Sequence, residues 1–131
     1  MIRRNSDYAL RALTYMAEFP TGKRFTVAYI AKKQNVPAAF LRKIFQKLAK
    51  NKIASSYPGP GGGFYLARKP SNISMKEILE SVQGNIFLNE CLFDANFCNR
   101  IKSCKVRKKL FGIQKEINSL LDGLSLGEIV K

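Results

Sequence analysis

Residues 58 to 63 read Pro-Gly-Pro-Gly-Gly-Gly, and neither a helix nor a regular strand can run through them. Proline removes amide donors and glycine leaves the backbone without steric guidance, so the chain has to turn here. Ile53 to Tyr57 precede the run and Phe64 to Leu66 follow it, two short segments suited to pleated strands. Together they predict a β-hairpin with an over-long tip. A turn does not need four glycines. The surplus points to a place where backbone must approach something closely. A phosphate-binding loop is a poor reading, because no Lys-Ser or Lys-Thr pair follows and no helix opens there.

The preceding residues predict three helices. The first spans 6 to 18, with Ser6 as its cap and Ala9, Leu10, Leu13, Met16 and Ala17 as one apolar stripe. Pro20 and Gly22 end it. Thr26 caps a second helix that turns Val27, Ile30 and Ala31 inward, and Asn35 with Pro37 makes a tight turn. A third helix follows from Ala38 to Asn51, with Phe40, Leu41, Ile44, Phe45 and Leu48 inward and Arg42, Lys43, Gln46, Lys47 and Lys50 outward. Two helices on a short turn, the second basic on its free face, followed by a hairpin, predict a winged helix-turn-helix. The fold class is mainly α with a small β wing, and the wing tip is expected on the phosphate backbone or in a minor groove.

Charge placement agrees. The net charge is +14, and no acid lies between Phe19 and Lys76, a stretch of 58 residues that carries twelve Lys or Arg. A solubilising surface mixes signs, whereas this window excludes one of them. The resulting field suits double-stranded nucleic acid, with an anionic membrane surface as the lesser alternative. No apolar run is long enough to span a membrane and no signal peptide is visible, so the expected location is the cytoplasm.

Beyond the wing, Ser74 and Glu77 form a capping box for a helix that ends at Gly84. From Lys105 onward Val106, Leu110, Ile113, Ile117, Leu120 and Leu124 recur in alternating steps of four and three. That is a heptad seam, read as a long C-terminal helix that meets its own copy in a homodimer. Residues 1–84 are thus expected to form the DNA-binding domain, and 85–131 a cysteine loop with the dimerisation helix. All three cysteines fall within residues 91 to 104, and the chain has no histidine. With no Cys-x-x-Cys, no histidine and few clustered acids, an enzyme is not expected.

The sequence resembles the Rrf2 family of bacterial transcription regulators along essentially its whole length. The residues that carry the likeness are "PGPGGGFYLAR" at 58 to 68, "SDYALRALTYMA" at 6 to 17 and "VPAAFLRKIFQKLAKNKIASS" at 36 to 56. Many members hold an iron–sulfur cluster on three cysteines in this position; others are cluster-free. Here six residues separate Cys91 from Cys98 and five separate Cys98 from Cys104, where five and five are common in the family. Thiolates are the usual cluster ligands, and the basic Arg100, Lys102, Lys105 and Arg107 would offset an anionic cluster. Zinc would favour cysteine pairs two to four residues apart, and inert thiols would favour apolar surroundings. The resemblance implies Asp7 as a further ligand, supplied by the second subunit. A four-iron cluster is favoured over a two-iron one, and such clusters are easily lost in air.

The resemblance implies a homodimeric regulator, usually a repressor, whose affinity for promoter DNA follows the cluster's response to redox, nitric oxide or iron. The expected DNA contacts are Ala39, Phe40, Arg42, Lys43, Lys47 and Lys50 on the third helix and Pro58, Gly59, Gly61 and Gly62 in the wing. Arg42 and Lys43 are placed at base edges, Lys47 and Lys50 at phosphates. Pro58 stands where many relatives carry an arginine, which leaves wing readout to the backbone. Two alternatives stay open: a cluster-free regulator governed by a partner protein or by thiol state, and a general nucleic-acid-binding protein.

Overall fold

Four apolar helix faces converge on one core, and the hairpin closes its open side. The structure, a computed structural model, describes residues 1–131. The order is α1 (Arg4–Ala17), α2 (Val27–Gln34), α3 (Ala38–Lys50), β1 (Ala54–Tyr57), β2 (Gly63–Leu66), α4 (Met75–Gln83), α5 (Lys105–Gly123) and α6 (Leu126–Ile129). Ala9, Leu13 and Met16 of α1 meet Ile30 of α2, Leu41, Ile44, Phe45 and Leu48 of α3, and Ile78 of α4. Each set follows the three-and-four spacing that puts side chains on one helical face. The fold is the expected winged helix-turn-helix, mainly α with one antiparallel pair of strands. No helix is long and apolar enough to cross a membrane.

Local signals explain most of the boundaries. Thr26 accepts the Tyr29 amide and caps α2, and Asn35 turns the chain with φ 54°. Ser74 and Glu77 complete the capping box of α4, and Gly84 ends it at φ 80°. The Glu77 carboxylate also takes the Arg68 guanidinium at 3.1 Å. Burial alone pushes that carboxyl up, but the Ser74 amide and Arg68 outweigh it and hold it below the ordinary carboxylate range. Arg68 reaches on to the carbonyls of Lys52 and Asn72, so one side chain joins the ends of α3, β2 and α4.

Three expectations need correction. Ser6 does not cap α1; the helix starts earlier, at Arg4, and Ser6 is fully buried with its hydroxyl donating to Gln83 Oε1 at 2.7 Å. Phe40 does not face inward. It is 51% exposed, one turn before Ile44 and beyond the packed row of Leu41, Ile44, Phe45 and Leu48. The C-terminal helix is not continuous. It stops at Gly123, Ser125 caps the short α6, and Leu126 is fully buried in the main core. Leu126 N–H donates to the Ile73 carbonyl and the Leu124 carbonyl accepts the Met75 amide, both at 2.8 Å, so the chain end is strapped to the start of α4.

The wing is fastened from the side. Ala54 to Tyr57 pair with Leu66 to Gly63, while Phe25, ahead of α2, exchanges both amide bonds with Phe64 at 2.9 Å. Gly63 makes this approach possible, because a side chain there would collide with the Phe25 carbonyl and lie 2.8 Å from Thr26 Cα. Gly59 has φ 110°, a region glycine favours, and its carbonyl accepts the Gly62 amide in the tip turn. A Cβ on Gly61 would meet nothing. Gly63→Ala is therefore expected to cost about 1–3 kcal/mol or more through overpacking. Gly61→Ala should stay within about 0.5 kcal/mol of the parent. Thermal denaturation followed by circular dichroism checks both; equal Tm values for the two variants would contradict the assignment.

Candidate functional site

The third helix and the wing enclose a groove of about 480 Å³ whose lining includes Arg42, Gln46, Thr26, Tyr57, Pro60 and Gly62. Arg42, Lys43 and Lys50 are exposed, as are Ala39 and Phe40 at the start of the helix and Pro58, Gly59 and Gly61 at the wing tip. Gly62 is half-buried in the tip turn. The ion pairs of the chain are Arg11–Asp7, Arg68–Glu77 and Lys76–Glu80, so Arg42, Lys43 and Lys50 have no carboxylate partner. Their charge is available to an external anion. This is a surface that can hold polyanionic backbone while presenting guanidinium and ammonium groups to base edges.

Lys47, expected at phosphate, is exposed and also has a partner within the chain. Its Nζ donates to the carbonyl of Val82 at 3.3 Å, at the end of α4. The helix end leaves that carbonyl without an intrahelical donor, and a cation is well placed to take it. The next residue, Gln83, is equally engaged. Its carbonyl oxygen accepts the Arg3 amide at 2.9 Å and the Ser6 hydroxyl, and its amide nitrogen donates to the Met1 carbonyl at 2.6 Å. The C-terminal end of α4 therefore ties α1 and α3 together immediately before the cysteine segment begins.

Within that segment the three thiols have different surroundings: Cys91 is buried, Cys98 exposed and Cys104 half-buried. Cys104 caps α5, its sulfur accepting the Arg107 amide at 3.4 Å. Arg107 Nε in turn donates to the Cys91 carbonyl at 3.1 Å. One arginine thus brings the Cys91 backbone to the start of α5. Cys98 lies between them on an exposed loop, its sulfur accepting the Arg100 amide at 3.5 Å. No set of three Cys, Asp or Glu side chains in this arrangement is close enough to hold a metal ion. Asp7 is engaged by Arg11 at 3.3 Å on the surface of α1. The donors suit a soft metal in type, and Arg107 already links the Cys91 carbonyl to the Cys104 sulfur. Closure of the 94–103 loop would have to bring in the third.

Two residues with organising roles escaped the sequence reading. Arg107 looked like one more basic residue beside the thiols. Gln114 had a visible signal, an amide inside an apolar seam. It is buried, donates to the Ile86 carbonyl at 2.8 Å and accepts the Leu88 amide at 2.6 Å, which pins the cysteine segment to α5.

Comparison with known proteins adds to this geometry. A family model described as "Rrf2: Iron-dependent Transcriptional regulator" matches residues 2–131. The HTH-type transcriptional regulator IscR of Aliivibrio salmonicida is 28% identical over 123 residues, covering 94% of this chain and 73% of that protein. CymR, the global cysteine regulator of B. subtilis, superposes with a TM-score of 0.78 at 21% identity, over 99% of this chain and 95% of that one. IscR of T. potens gives 0.70 at 21% identity, over 99% and 85%. At such identities the two structures speak for the fold. The curated relatives are transcriptional regulators rather than enzymes.

If Lys47 is engaged by α4, Lys47→Met should leave the salt dependence of duplex binding unchanged and lower stability by about 1 kcal/mol. Lys50→Met should instead flatten the plot of log affinity against log salt by about 0.9 for one lost phosphate contact. Salt titrations of both variants on one duplex decide this; a Lys47→Met slope as flat as that of Lys50→Met would return Lys47 to the DNA.

Proposed function

The chain belongs to the Rrf2 family of transcriptional regulators, and from that premise we propose that it is a homodimeric repressor whose hold on promoter DNA depends on an iron–sulfur cluster. The observation that carries the DNA-binding part is the groove between α3 and the wing, flanked by unpaired cations in a 58-residue window without an acid. In this reading α3 enters the major groove. Arg42 and Lys43 meet base edges, Lys50 meets phosphate, and Pro58, Gly59 and Gly61 bring the wing backbone to the duplex. Residues 1–84 form the reading head and 85–131 the sensing and pairing part.

Cys91, Cys98 and Cys104 would hold the cluster, with four irons favoured, and Asp7 of a second copy would complete it. Bound there, such a group supplies metal–thiolate bonds that oxidants or nitric oxide can break. The chain's own part is to pass on the position of the cysteine segment. Arg107 ties that segment to α5, Gln114 pins its first half, and Gln83 and Lys47 join the end of α4 to α1 and α3. A coupling of about 1–3 kcal/mol would alter DNA affinity about 5- to 150-fold. A cluster-free regulator, governed by a partner protein or thiol state, is the second reading; the exposure of Cys98 apart from buried Cys91 favours it.

Support for the dimer comes from α5. Val106, Ile113 and Leu120, spaced by seven, are 66%, 48% and 74% exposed, while Leu110 and Ile117 are half-buried. The seam thus has one row turned towards its own chain and one free for a second copy.

Protein prepared without oxygen should carry iron and sulfide, lose both in Cys98→Ala, and bind a promoter duplex differently in the loaded and empty forms. Absence of iron after anaerobic reconstitution would favour the cluster-free reading. Leu120→Lys should weaken self-association at least about tenfold, or about 1.4 kcal/mol, in sedimentation experiments, with helix content retained. A Leu120→Lys dimer as tight as the parent would move the interface elsewhere.

A further inference from the structure

We infer that a second cationic pocket, which shares Thr26 and Tyr57 with the α3 groove, binds the sugar–phosphate backbone of the same duplex. The inference rests on the DNA-binding reading above and extends its footprint. The pocket, of about 310 Å³, is lined by Lys23, Arg24, Phe25, Thr26, Tyr29 and Tyr57. Thr26 and Tyr57 also line the α3–wing groove, so the two surfaces are continuous.

The two cations are held in place without being neutralised. Lys23 Nζ lies 4.1 Å from the Phe19 ring centre and 5.3 Å from that of Phe25, and the Arg24 guanidinium carbon lies 4.9 Å from that of Tyr57. Neither takes part in an ion pair. A ring face orients a cation but leaves its other N–H donors free. Below them Phe19, Phe25, Tyr15 and Tyr29 pack ring against ring, and the Tyr15 hydroxyl donates to that of Tyr29 at 3.2 Å. The double amide exchange between Phe25 and Phe64 fixes this platform to the wing. A strand passing the wing tip therefore meets two oriented cations, the Tyr29 ring, 46% exposed, and a threonine at the place where the groove opens out. That chemistry fits phosphate oxygens with deoxyribose against the ring.

The test is a salt titration on a duplex selected by the wild-type protein from random sequence, with a random duplex in parallel. The variant Lys23→Ala/Arg24→Ala should flatten the salt slope by about 0.9 for each phosphate lost. It should weaken both duplexes by a similar factor, since backbone contacts carry no sequence. Ethylation interference should lose its outermost phosphates. Lys23→Arg/Arg24→Lys, which keeps both charges, should restore slope and footprint. An unchanged slope and footprint in the alanine variant, with its Tm retained, overturns the pocket but leaves the α3 groove standing. Capture of polyglutamate by wild type but not by the alanine variant, with that slope unchanged, reassigns the pocket to an acidic protein. Failure of wild type to prefer duplex DNA overturns both readings.

Discussion

Two backbone hydrogen bonds, exchanged between Phe25 and Phe64, hold the reading surface in one shape. The strand pair of the wing has only four residues on each side, too little to keep its own orientation. Phe25 adds a third line of pairing and draws the wing against the start of α2. That approach is possible because Gly63 has no side chain. The groove beside α3 and the cationic pocket beside Tyr57 are two faces of the same junction. Thr26 and Tyr57 line both, so the two are continuous across the junction.

A second junction lies at the other end of the head. There Val82 and Gln83, the last turn of α4, receive Lys47 from α3 and the start of the chain through Met1, Arg3 and Ser6. The cysteine segment leaves from the next residue. The Val82 carbonyl, left without an intrahelical donor at the helix end, takes the Lys47 ammonium, while the Gln83 side-chain amide accepts from Arg3 and Ser6 and donates to the Met1 carbonyl.

The sequence revealed local features more readily than tertiary ones. Helix positions, the Thr26 and Ser74 caps, the left-handed Asn35 and the hairpin all rest on short-range physics, and each was legible. Ser6 misled because a serine before an apolar stripe resembles a cap; its buried hydroxyl answers to Gln83, 77 residues away. The glycines were read as a group, yet they serve separate ends: Gly59 a backbone angle, Gly62 the tip turn, and Gly63 an internal contact with a loop nearly forty residues earlier. Lys47 and Lys50 share a basic helix face, and only the position of α4 tells them apart. For the cysteines, spacing showed that three thiols were near one another in the chain. It could not show that Arg107 joins Cys91 to Cys104 and leaves Cys98 outside.

The folding-back of the chain end has a mechanical meaning. α5 has 19 residues, about 28 Å at the usual rise, and its far end is strapped through Leu124 and Leu126 to the strand-like entry of α4. Its middle is held where Gln114 meets the Ile86 carbonyl and the Leu88 amide, and its near end meets the cysteine segment where Arg107 donates to the Cys91 carbonyl. The helix is thus anchored at its far end and its middle, and its first turn meets the cysteine segment through one arginine. A shift of the Cys91 turn would therefore reach the Val106 end of the helix first and the Leu120 end least.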